Sequence, residues 1–493
     1  MTESAADLRP DTGSLPATRT VGPAERRVIW LLLAAAFVVI LNETIMGVAI
    51  PHLQIDLGID LAAAQWLTTG FMLTMAIVIP ITGYLLQRFP TRPIFIAAMS
   101  LFSAGTLLAA LAPGFEVLLA ARVVQASGTA IMMPLLMTTL MELVPPAERG
   151  RFMGRVSTVI SVAPAIGPTL SGLILNFLSW RFMFWFVLPI ALAMLVIGIR
   201  KVENVNDPKP TPIDPLSVVL AAFGFGGLVF GLTLIGEAAS HDPSMLIISL
   251  TVGVLALGTF VWRQLRLQRS ERALLDLRTF RSGNFAVSLV VMAIMMMALF
   301  GTIILLPVYL QQVLGLDPLA TGLLLLPGGL LMGLIAPVVG RLYDRVGAAP
   351  LLVPGTALVS ATLWGLTLVG PATPVWVILG AHLVLSAGLA LSFTPLFTSA
   401  LGSVAPPLYS HASATVGTVQ QVAGAAGTAL FVTIAATAQA ASMGSASVAD
   451  AADVAAGVQA AFLIGAIISL GAVAGAFFVR KPADAPEGFH GGH

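Results

Sequence analysis

The stretch Leu41–Pro51, LNETIMGVAIP, places a carboxylate inside a long apolar segment. Residues 28–50 form an apolar run that is long enough to cross a bilayer, because a helix of about 20 residues spans the hydrocarbon core. Glu43 lies deeper in its apolar run than any other acidic residue, and roughly 10 Å inside the helix end that Pro51 is predicted to mark. An ionisable group at this depth is energetically costly, so we predict a functional role for Glu43.

A basic residue at a similar depth is the predicted partner of this carboxylate. Arg122 lies in the apolar run 116–141, also roughly 10 Å from one end of its predicted helix. If the two helix ends face the same side of the membrane, Glu43 and Arg122 share a depth. The topology of the chain decides this point.

The composition indicates an integral membrane protein. The 493 residues are 57% hydrophobic and only 10% charged, with a mean hydropathy of +0.96, whereas soluble domains carry about 25% charged residues. The absence of Cys excludes disulfides, thiolate catalysis and Cys-ligated metal sites. Residues 1–27 are polar and lack the apolar core of a signal peptide, so they are predicted to be a cytoplasmic tail.

Fourteen apolar runs are long enough to be membrane helices. Backbone groups in lipid must be hydrogen-bonded within each segment, so an all-α membrane protein is predicted. The runs fall near residues 28–50, 65–87, 93–111, 116–141, 153–176, 181–199, 214–236, 243–263, 285–310, 319–342, 350–370, 374–400, 411–438 and 457–479.

The positions of Lys and Arg predict the orientation of these helices. If the N-terminus is cytoplasmic, 22 of the 24 Lys and Arg residues lie on the cytoplasmic side, and only Arg122 and Arg181 do not. Both termini are therefore predicted to be cytoplasmic, which requires an even number of helices. In this topology Glu43 and Arg122 both lie in the outer half of the membrane.

An internal repeat divides the chain into two halves. GYLLQRFPTR begins at Gly83 and GRLYDRVGAA begins at Gly340, 257 residues later, and each follows the second helix of a group. The predicted units are two six-helix bundles at 28–199 and 285–480, a linker at 200–284 that contributes two inserted helices, and a cytoplasmic tail at 481–493. Parallel halves of this kind suggest a transporter whose substrate site lies between them near the midplane.

The motifs of these helices resemble the major facilitator superfamily, and within it the fourteen-helix branch of drug:proton antiporters. The most specific is APAIGPTLSG, residues 163–172, which resembles the antiporter motif of the fifth helix. The resemblance implies that Gly167 and Pro168, with Gly172, form a bend that packs on a neighbouring helix and seals the cavity. Pro removes one helical hydrogen bond and small residues allow close backbone approach, although an ordinary kinked helix is the alternative.

Two further motifs resemble the family in part. GRLYDRVG resembles its short basic loop, which implies that Gly340, Asp344 and Arg345 latch one conformation, with a solvated charge as the alternative for Asp344. The first-half copy has Gln87 where the acid is expected. LAARVVQASG resembles the fourth-helix motif, which implies that Arg122 faces the cavity, takes part in proton transfer and is accompanied there by Gln125; an Arg that only holds helices together is the alternative.

The first-helix motif of this branch places an acid where this chain has Asn42, and the acid follows one residue later at Glu43. Asn42 is itself a candidate for the substrate cavity. One residue turns the side chain by about 100° around the helix, so Glu43 either faces the cavity or packs between helices. WRFMFWFVLP, residues 180–189, and SATVGTVQQVAGAAG, residues 413–427, also resemble the branch.

Three more polar residues are candidates. His382, in the twelfth run, has an unperturbed pKa near neutrality and is a candidate proton relay, with a structural, hydrogen-bonded His as the alternative. Tyr309 and Gln312, at the end of the ninth run, are candidates for the substrate cavity; the alternative is the polar girdle at the membrane interface.

The predicted function is a proton-coupled antiporter that exports amphipathic or cationic small molecules across the cell membrane by alternating access. The alternatives are a proton symporter for uptake and a non-transporting membrane enzyme or sensor. The sequence has no HExxH, GxSxG or Walker-type GxxxxGK motif, which disfavours an enzyme and excludes an ATP-driven pump for this chain alone. The expected partners are protons, a drug-like substrate and the lipid bilayer; no nucleic acid, metal or cofactor is expected, and the protein is expected to be a monomer.

Overall fold

The computed structural model describes residues 21–206, 208, 212–236, 243–443 and 449–482. These residues form fourteen helices that are long and apolar enough to cross a membrane, which confirms the predicted number. They are α1 (Pro23–Leu57), α2 (Leu61–Arg88), α3 (Thr91–Ala110), α4 (Phe115–Leu143), α5 (Arg149–Phe177), α6 (Arg181–Lys201), α7 (Pro215–Gly236), α8 (Pro243–Leu267), α9 (Gly283–Val308), α10 (Pro318–Val346), α11 (Ala349–Leu366), α12 (Val375–Gly402), α13 (Tyr409–Met443) and α14 (Ala451–Ala476).

The first helix is longer than its apolar run at both ends. It begins at Pro23, inside the predicted tail, whose residues 1–20 lie outside the described part of the chain. It also continues through Pro51 to Leu57, so the predicted helix end at Pro51 is wrong. A Pro ring meets the carbonyl of the residue four positions earlier, here Gly47, and membrane helices tolerate such interruptions. Glu43 therefore lies about 20 Å, rather than 10 Å, from the helix end.

The helices form two groups of six with an additional pair. Within the first group α1 packs on α4, α5 and α6, while α4 packs on α2 and α3. Within the second group α9 packs on α12, α13 and α14, while α11 packs on α12 and α14. The most extensive contact between the groups is that of α5 with α10, and α2 with α13 forms the second.

Small residues allow α5 and α10 to approach closely along most of their length. A Cβ atom on Gly340 would lie 2.1 Å from the Gly150 carbonyl oxygen, and one on Gly154 would lie 2.5 Å from the Ala336 carbonyl oxygen. Further along, a Cβ on Gly329 would lie 2.4 Å from the Cβ of Ala165. Helices in lipid associate mainly through such close packing, so this seam joins the two groups.

The inserted pair α7 and α8 contacts both groups through α7, which packs on α2 and on α13. Its start is held by Asp214, which accepts hydrogen bonds from Arg263 Nε at 2.6 Å and Nη2 at 2.7 Å. These hydrogen bonds and the positive charge of Arg263 lower the pKa of Asp214 to about 2, so the carboxylate is ionised at neutral pH. The ion pair ties the start of α7 to the end of α8.

The two ends of the helix assembly differ in charge. We call one the basic end: Arg26 and Arg151 line one cavity there, the Arg151 N–H donates to Asp344, and Lys481 Nζ donates to the Asp344 carbonyl at 2.8 Å. Arg26 and Lys481, near the two ends of the described chain, thus lie at the same end of the helix assembly.

At the opposite end, Asp56 accepts hydrogen bonds from Trp180 Nε1 at 2.7 Å and from Arg181 Nη1 at 3.1 Å. Arg181 Nη2 also donates to the Ala112 carbonyl at 3.0 Å. The WR pair of the sixth-helix motif therefore ties α6 to the ends of α1 and α3. Hydrogen bonds from Trp180 and Arg181 lower the pKa of Asp56.

Candidate functional site

The buried polar residues of α1 are the centre of the candidate site. Asn42 is fully buried, and neither its amide nitrogen nor its amide oxygen has a hydrogen-bond partner among the described residues. Glu43, the next residue, is partly exposed. A buried amide without partners is costly, and such groups are uncommon in folded proteins. This turn of α1 therefore carries one unsatisfied amide beside one accessible carboxylate.

Arg122 is held inside the first group by contacts with Gln125 on its own helix and with α2. Its Nη1 donates to Gln125 Oε1 at 2.7 Å, and Gln125 Nε2 in turn donates to Thr106 Oγ1 of α3 at 2.8 Å. Its Nε donates to the Leu67 carbonyl of α2 at 3.4 Å, and its guanidinium lies 4.1 Å from the centre of the Phe71 ring. Arg122 and Gln125 are both buried. The predicted cavity residue Gln125 thus orients Arg122.

Glu43 and Arg122 interact electrostatically, but within the part of the chain that the structure describes they form no ion pair within 4.0 Å. The Arg122 guanidinium binds Gln125 and Leu67 instead. The predicted direct partnership is therefore a longer-range attraction. Because Glu43 is not held in a tight pair, its proton affinity depends on the distance between α1 and α4.

The α5 segment that resembles the antiporter motif packs on α1 beside Glu43. A Cβ on Gly167 would lie 2.2 Å from Thr44 Oγ1, 3.0 Å from Thr44 Cβ and 3.3 Å from the Thr44 carbonyl carbon. Pro168 follows inside the same helix. A Cβ on Gly172, in contrast, would have no heavy atom within 4 Å. The close approach that the motif implies is thus made by Gly167. It contacts Thr44, which follows Glu43 directly in α1.

The loop after α10 joins the two groups at the basic end. Asp344 Oδ1 accepts from the Gly150 N–H at 2.7 Å, and Oδ2 accepts from the Arg151 N–H at 2.8 Å. These N–H groups belong to the first turn of α5, where unpaired donors and the helix dipole favour an anion. Gly340 packs on the Gly150 backbone one turn away, while Arg345 is exposed. Asp344 is therefore a cap supplied by the second group to a helix of the first.

Comparisons with known proteins agree with this architecture. The family model described as Major Facilitator Superfamily matches residues 32–428. The chain belongs to the major facilitator superfamily. The lincomycin resistance protein LmrB of Listeria monocytogenes is 41% identical over 458 residues, which cover 92% of this chain and 96% of that protein. A multidrug resistance protein B homolog of Mycobacterium tuberculosis is 30% identical over 392 residues, which cover 79% of this chain and 72% of that protein.

A solved structure shares the fold. The human organic anion transporter MFSD10 superposes with a TM-score of 0.65 at 16% identity, covering 92% of this chain and 100% of that one. The major facilitator fold with fourteen membrane-spanning helices is thus shown, and this chain is a multi-pass membrane transporter.

The first-half copy of the loop motif, GYLLQRFPTR, makes its contact with a hydrogen-bond donor, whereas Asp344 in the second-half copy is an acceptor. Gln87 lies 257 residues before Asp344, and its Nε2 donates to the Pro407 carbonyl at 3.0 Å, just before α13 begins. Gly83, the counterpart of Gly340, faces His411 of α13, where an added Cβ would lie 3.0 Å from Nδ1. A contact between the two groups is therefore kept although the acid is replaced by an amide.

The remaining candidates lie in the second group. His382 Nε2 is 3.0 Å from the Leu325 carbonyl, which can only accept, so Nε2 carries the proton and Nδ1 is left without a partner in the described chain. The Tyr309 hydroxyl donates to the Gly370 carbonyl at 2.8 Å and its side chain is buried, whereas Gln312 is exposed. These contacts are structural for His382 and Tyr309, and the cavity and proton roles of all three stay predictions.

The α5 residues that face α10 were not predicted from the sequence. Gly150 and Gly154 are four residues apart on one helix face, and this spacing of small residues was a usable signal. The contact of Arg149, whose Nη2 donates to the Tyr409 hydroxyl at 3.1 Å, was also not predicted. Arg149 and Tyr409 begin α5 and α13, so the starts of two corresponding helices of the two halves contact each other at the basic end.

Replacing Asp344 with Ala is expected to open the basic end. Two hydrogen bonds to an ionised acceptor are lost, each contributing about 1.5–3 kcal/mol, so the open form should gain at least about ten-fold in population. Because the sequence has no Cys, spin labels on cysteines introduced at the exposed positions Ala147, just before α5, and Val346, at the end of α10, would report the separation of the two helix ends without background.

The matched control for this variant is Asp317→Ala on the same helix. Asp317 also accepts a backbone hydrogen bond, from Ala320 at 2.8 Å, but it caps its own helix at the other end. The label distance should lengthen in Asp344→Ala alone. An equal change in both variants, or none in either, would show that Asp344 does not hold the basic end closed.

Proposed function

We propose that this transporter is a proton-coupled antiporter that exports amphipathic or cationic small molecules across the cytoplasmic membrane by alternating access. The observation that carries the proposal is the packing of Gly167 on Thr44, next to Glu43. A change in the charge of Glu43 alters the forces on the turn of α1 against which the α5 bend packs. Protonation and the seal between helices are thus coupled through adjacent residues.

The basic end is placed in the cytoplasm by this proposal, in accord with the distribution of Lys and Arg. Asp344 and Gln87 then hold the cytoplasmic side closed, and alternating access requires these contacts to break when the substrate site faces inward. A proton that enters from outside reaches Glu43 in the outer half and is released inside. Its inward movement supplies about 2.3 kcal/mol per 100 mV for outward transport of the substrate.

The names of the relatives support a drug-like substrate. Two of them are described as resistance proteins, one against lincomycin and one against multiple drugs. We therefore take lincomycin and a fluorescent lipophilic cation as the first substrates to test. Either compound is assigned as a substrate only when this protein is shown to transport it.

Inverted membrane vesicles test the direction and the energy source. Respiration acidifies their lumen, so an antiporter should accumulate substrate inside, and a protonophore should abolish the accumulation without any need for ATP. A symporter would instead accumulate substrate in right-side-out vesicles with an acidic exterior. Accumulation that persists after the gradient has collapsed would rule out proton coupling.

A further inference from the structure

A small cavity at the basic end lies between α1 and the start of α5. Its volume is about 120 Å³. Three arginines, one carboxylate and two aromatic rings line it: Arg26, Trp30, Glu148, Arg151, Phe152 and Arg155. The lining carries an excess of two positive charges. The cavity is separate from the Glu43 site, which lies roughly 20–30 Å further along α1.

The three guanidinium groups form no ion pair within 4.0 Å among the described residues, although the Glu148 carboxylate attracts Arg155 at longer range. In the described part of the chain, none of Arg26, Arg151 and Arg155 forms a side-chain hydrogen bond or an ion pair within 4.0 Å. Arg155 lies 5.1 Å from the centre of the Trp30 ring and 4.7 Å from that of Phe152, and it is close enough to the other two arginines to be repelled by them. An anion inside the cavity would offset this repulsion, because it would attract all three guanidinium groups.

The position of Trp30 relates the cavity to the membrane. Trp30 is 54% exposed and lies about two turns from the start of α1 at Pro23. Trp side chains favour the level of the lipid headgroups, and basic pockets between helices on the cytoplasmic side favour anionic headgroups. The cavity therefore opens at the depth where a lipid phosphate lies, with an aromatic surface beside it for the lipid.

We propose that this cavity binds the phosphate group of an anionic phospholipid, with Arg26, Arg151 and Arg155 as the phosphate ligands and Trp30 against the lipid. Guanidinium groups match phosphate oxygens with paired, charge-assisted hydrogen bonds. Inorganic phosphate offers the same oxygens but has no glycerol or acyl chains to pack on Trp30. The lipid is therefore the expected source of the phosphate.

A bound lipid would also act on the latch at the basic end. Arg151 supplies a cavity side chain and, through its backbone N–H, one of the two hydrogen bonds to Asp344. Holding the first turns of α5 against α1 stabilises the geometry that this cap requires. Anionic lipid is thus expected to favour the closed basic end.

Lipid binding to the purified full-length protein tests this site. Native mass spectrometry and thermal unfolding would compare phosphatidylglycerol with phosphatidylcholine, and with inorganic phosphate alone, for the wild type and for Arg26→Gln combined with Arg155→Gln. We expect phosphatidylglycerol to bind and stabilise the wild type selectively, and the double variant to bind it about ten-fold more weakly.

The control variant is Arg266→Gln at the basic end of α8. Arg266 also lies over a Trp ring, 4.0 Å from the centre of Trp262, but it does not line the cavity. Selective binding should survive in this variant. An equal loss of phosphatidylglycerol binding in both variants would show that binding depends on general surface charge and not on this cavity. A stabilisation reproduced by inorganic phosphate would overturn the lipid assignment. Size-exclusion chromatography shows whether the double variant is folded. If it is not, Arg155→Gln alone is tested in its place.

Discussion

Replacing Glu43 with Gln is expected to abolish proton-coupled accumulation while the protein still folds and binds substrate. The positive charge of Arg122 attracts the ionised carboxylate without forming a close ion pair, so movement of α1 relative to α4 changes the strength of this attraction. An amide cannot take part in proton exchange. Each coupled proton supports about ten-fold accumulation per pH unit, and this contribution should disappear.

Proton release on substrate addition to the detergent-solubilised protein, together with the pH dependence of vesicle transport, measures this effect. Glu116→Gln is the control, because Glu116 is an exposed carboxylate in the first turn of α4. Adding Asn42→Asp to Glu43→Gln tests whether a carboxylate one position earlier restores coupling. If proton release persists in Glu43→Gln but is absent in His382→Ala, the proton site lies in the second group and not at Glu43.

Replacing Gly167 with Leu is expected to block exchange through the transporter. The first added atom would already lie 3.0 Å from Thr44 Cβ, and three further carbons have no room unless α5 moves away from α1. Overpacking of this kind typically costs about 1–3 kcal/mol, which is enough to shift the conformational equilibrium without unfolding the protein. Substrate counterflow in proteoliposomes should therefore be lost, or replaced by an uncoupled leak.

The same helix offers a matched control in Gly172→Leu. It makes the same chemical change five residues later, where an added Cβ has no heavy atom within 4 Å. Counterflow should be close to that of the wild type. If Gly167→Leu also transports normally and remains coupled, the motif is only a kink; if both variants fail equally, the loss reflects the helix rather than the contact with Thr44.

The sequence predicted the helices because each one satisfies its own backbone in lipid. Apolar length alone was therefore sufficient for the number fourteen, and the resemblance of the motifs was sufficient for the family. The helix ends were less predictable, and the prediction at Pro51 was wrong. A membrane helix tolerates Pro, and α1 continues beyond its apolar run to a Gly58 cap.

The candidate site was predicted in its residue types but not in its contacts. Glu43 and Arg122 stand out in the sequence because charges are rare in apolar runs. Their separation depends on the rotation of α1 and α4, which apolar sequences leave undetermined. The contact of Gly167 with Thr44 likewise joins residues 123 positions apart, so only packing reveals that the α5 bend lies beside the acid.

The amino-acid sequence alone predicts fourteen membrane crossings, two related halves and an acid inside the first apolar run. Each helix forms its own backbone hydrogen bonds, and the internal repeat of 257 residues marks the two halves, so local sequence is sufficient for those features. Three features are visible only in the folded structure: Gln87 bridges the halves as a donor, Asp344 caps α5, and three arginines converge on one cavity. These are contacts between distant helices, and their geometry arises from close packing at small residues, which no single segment of the sequence encodes.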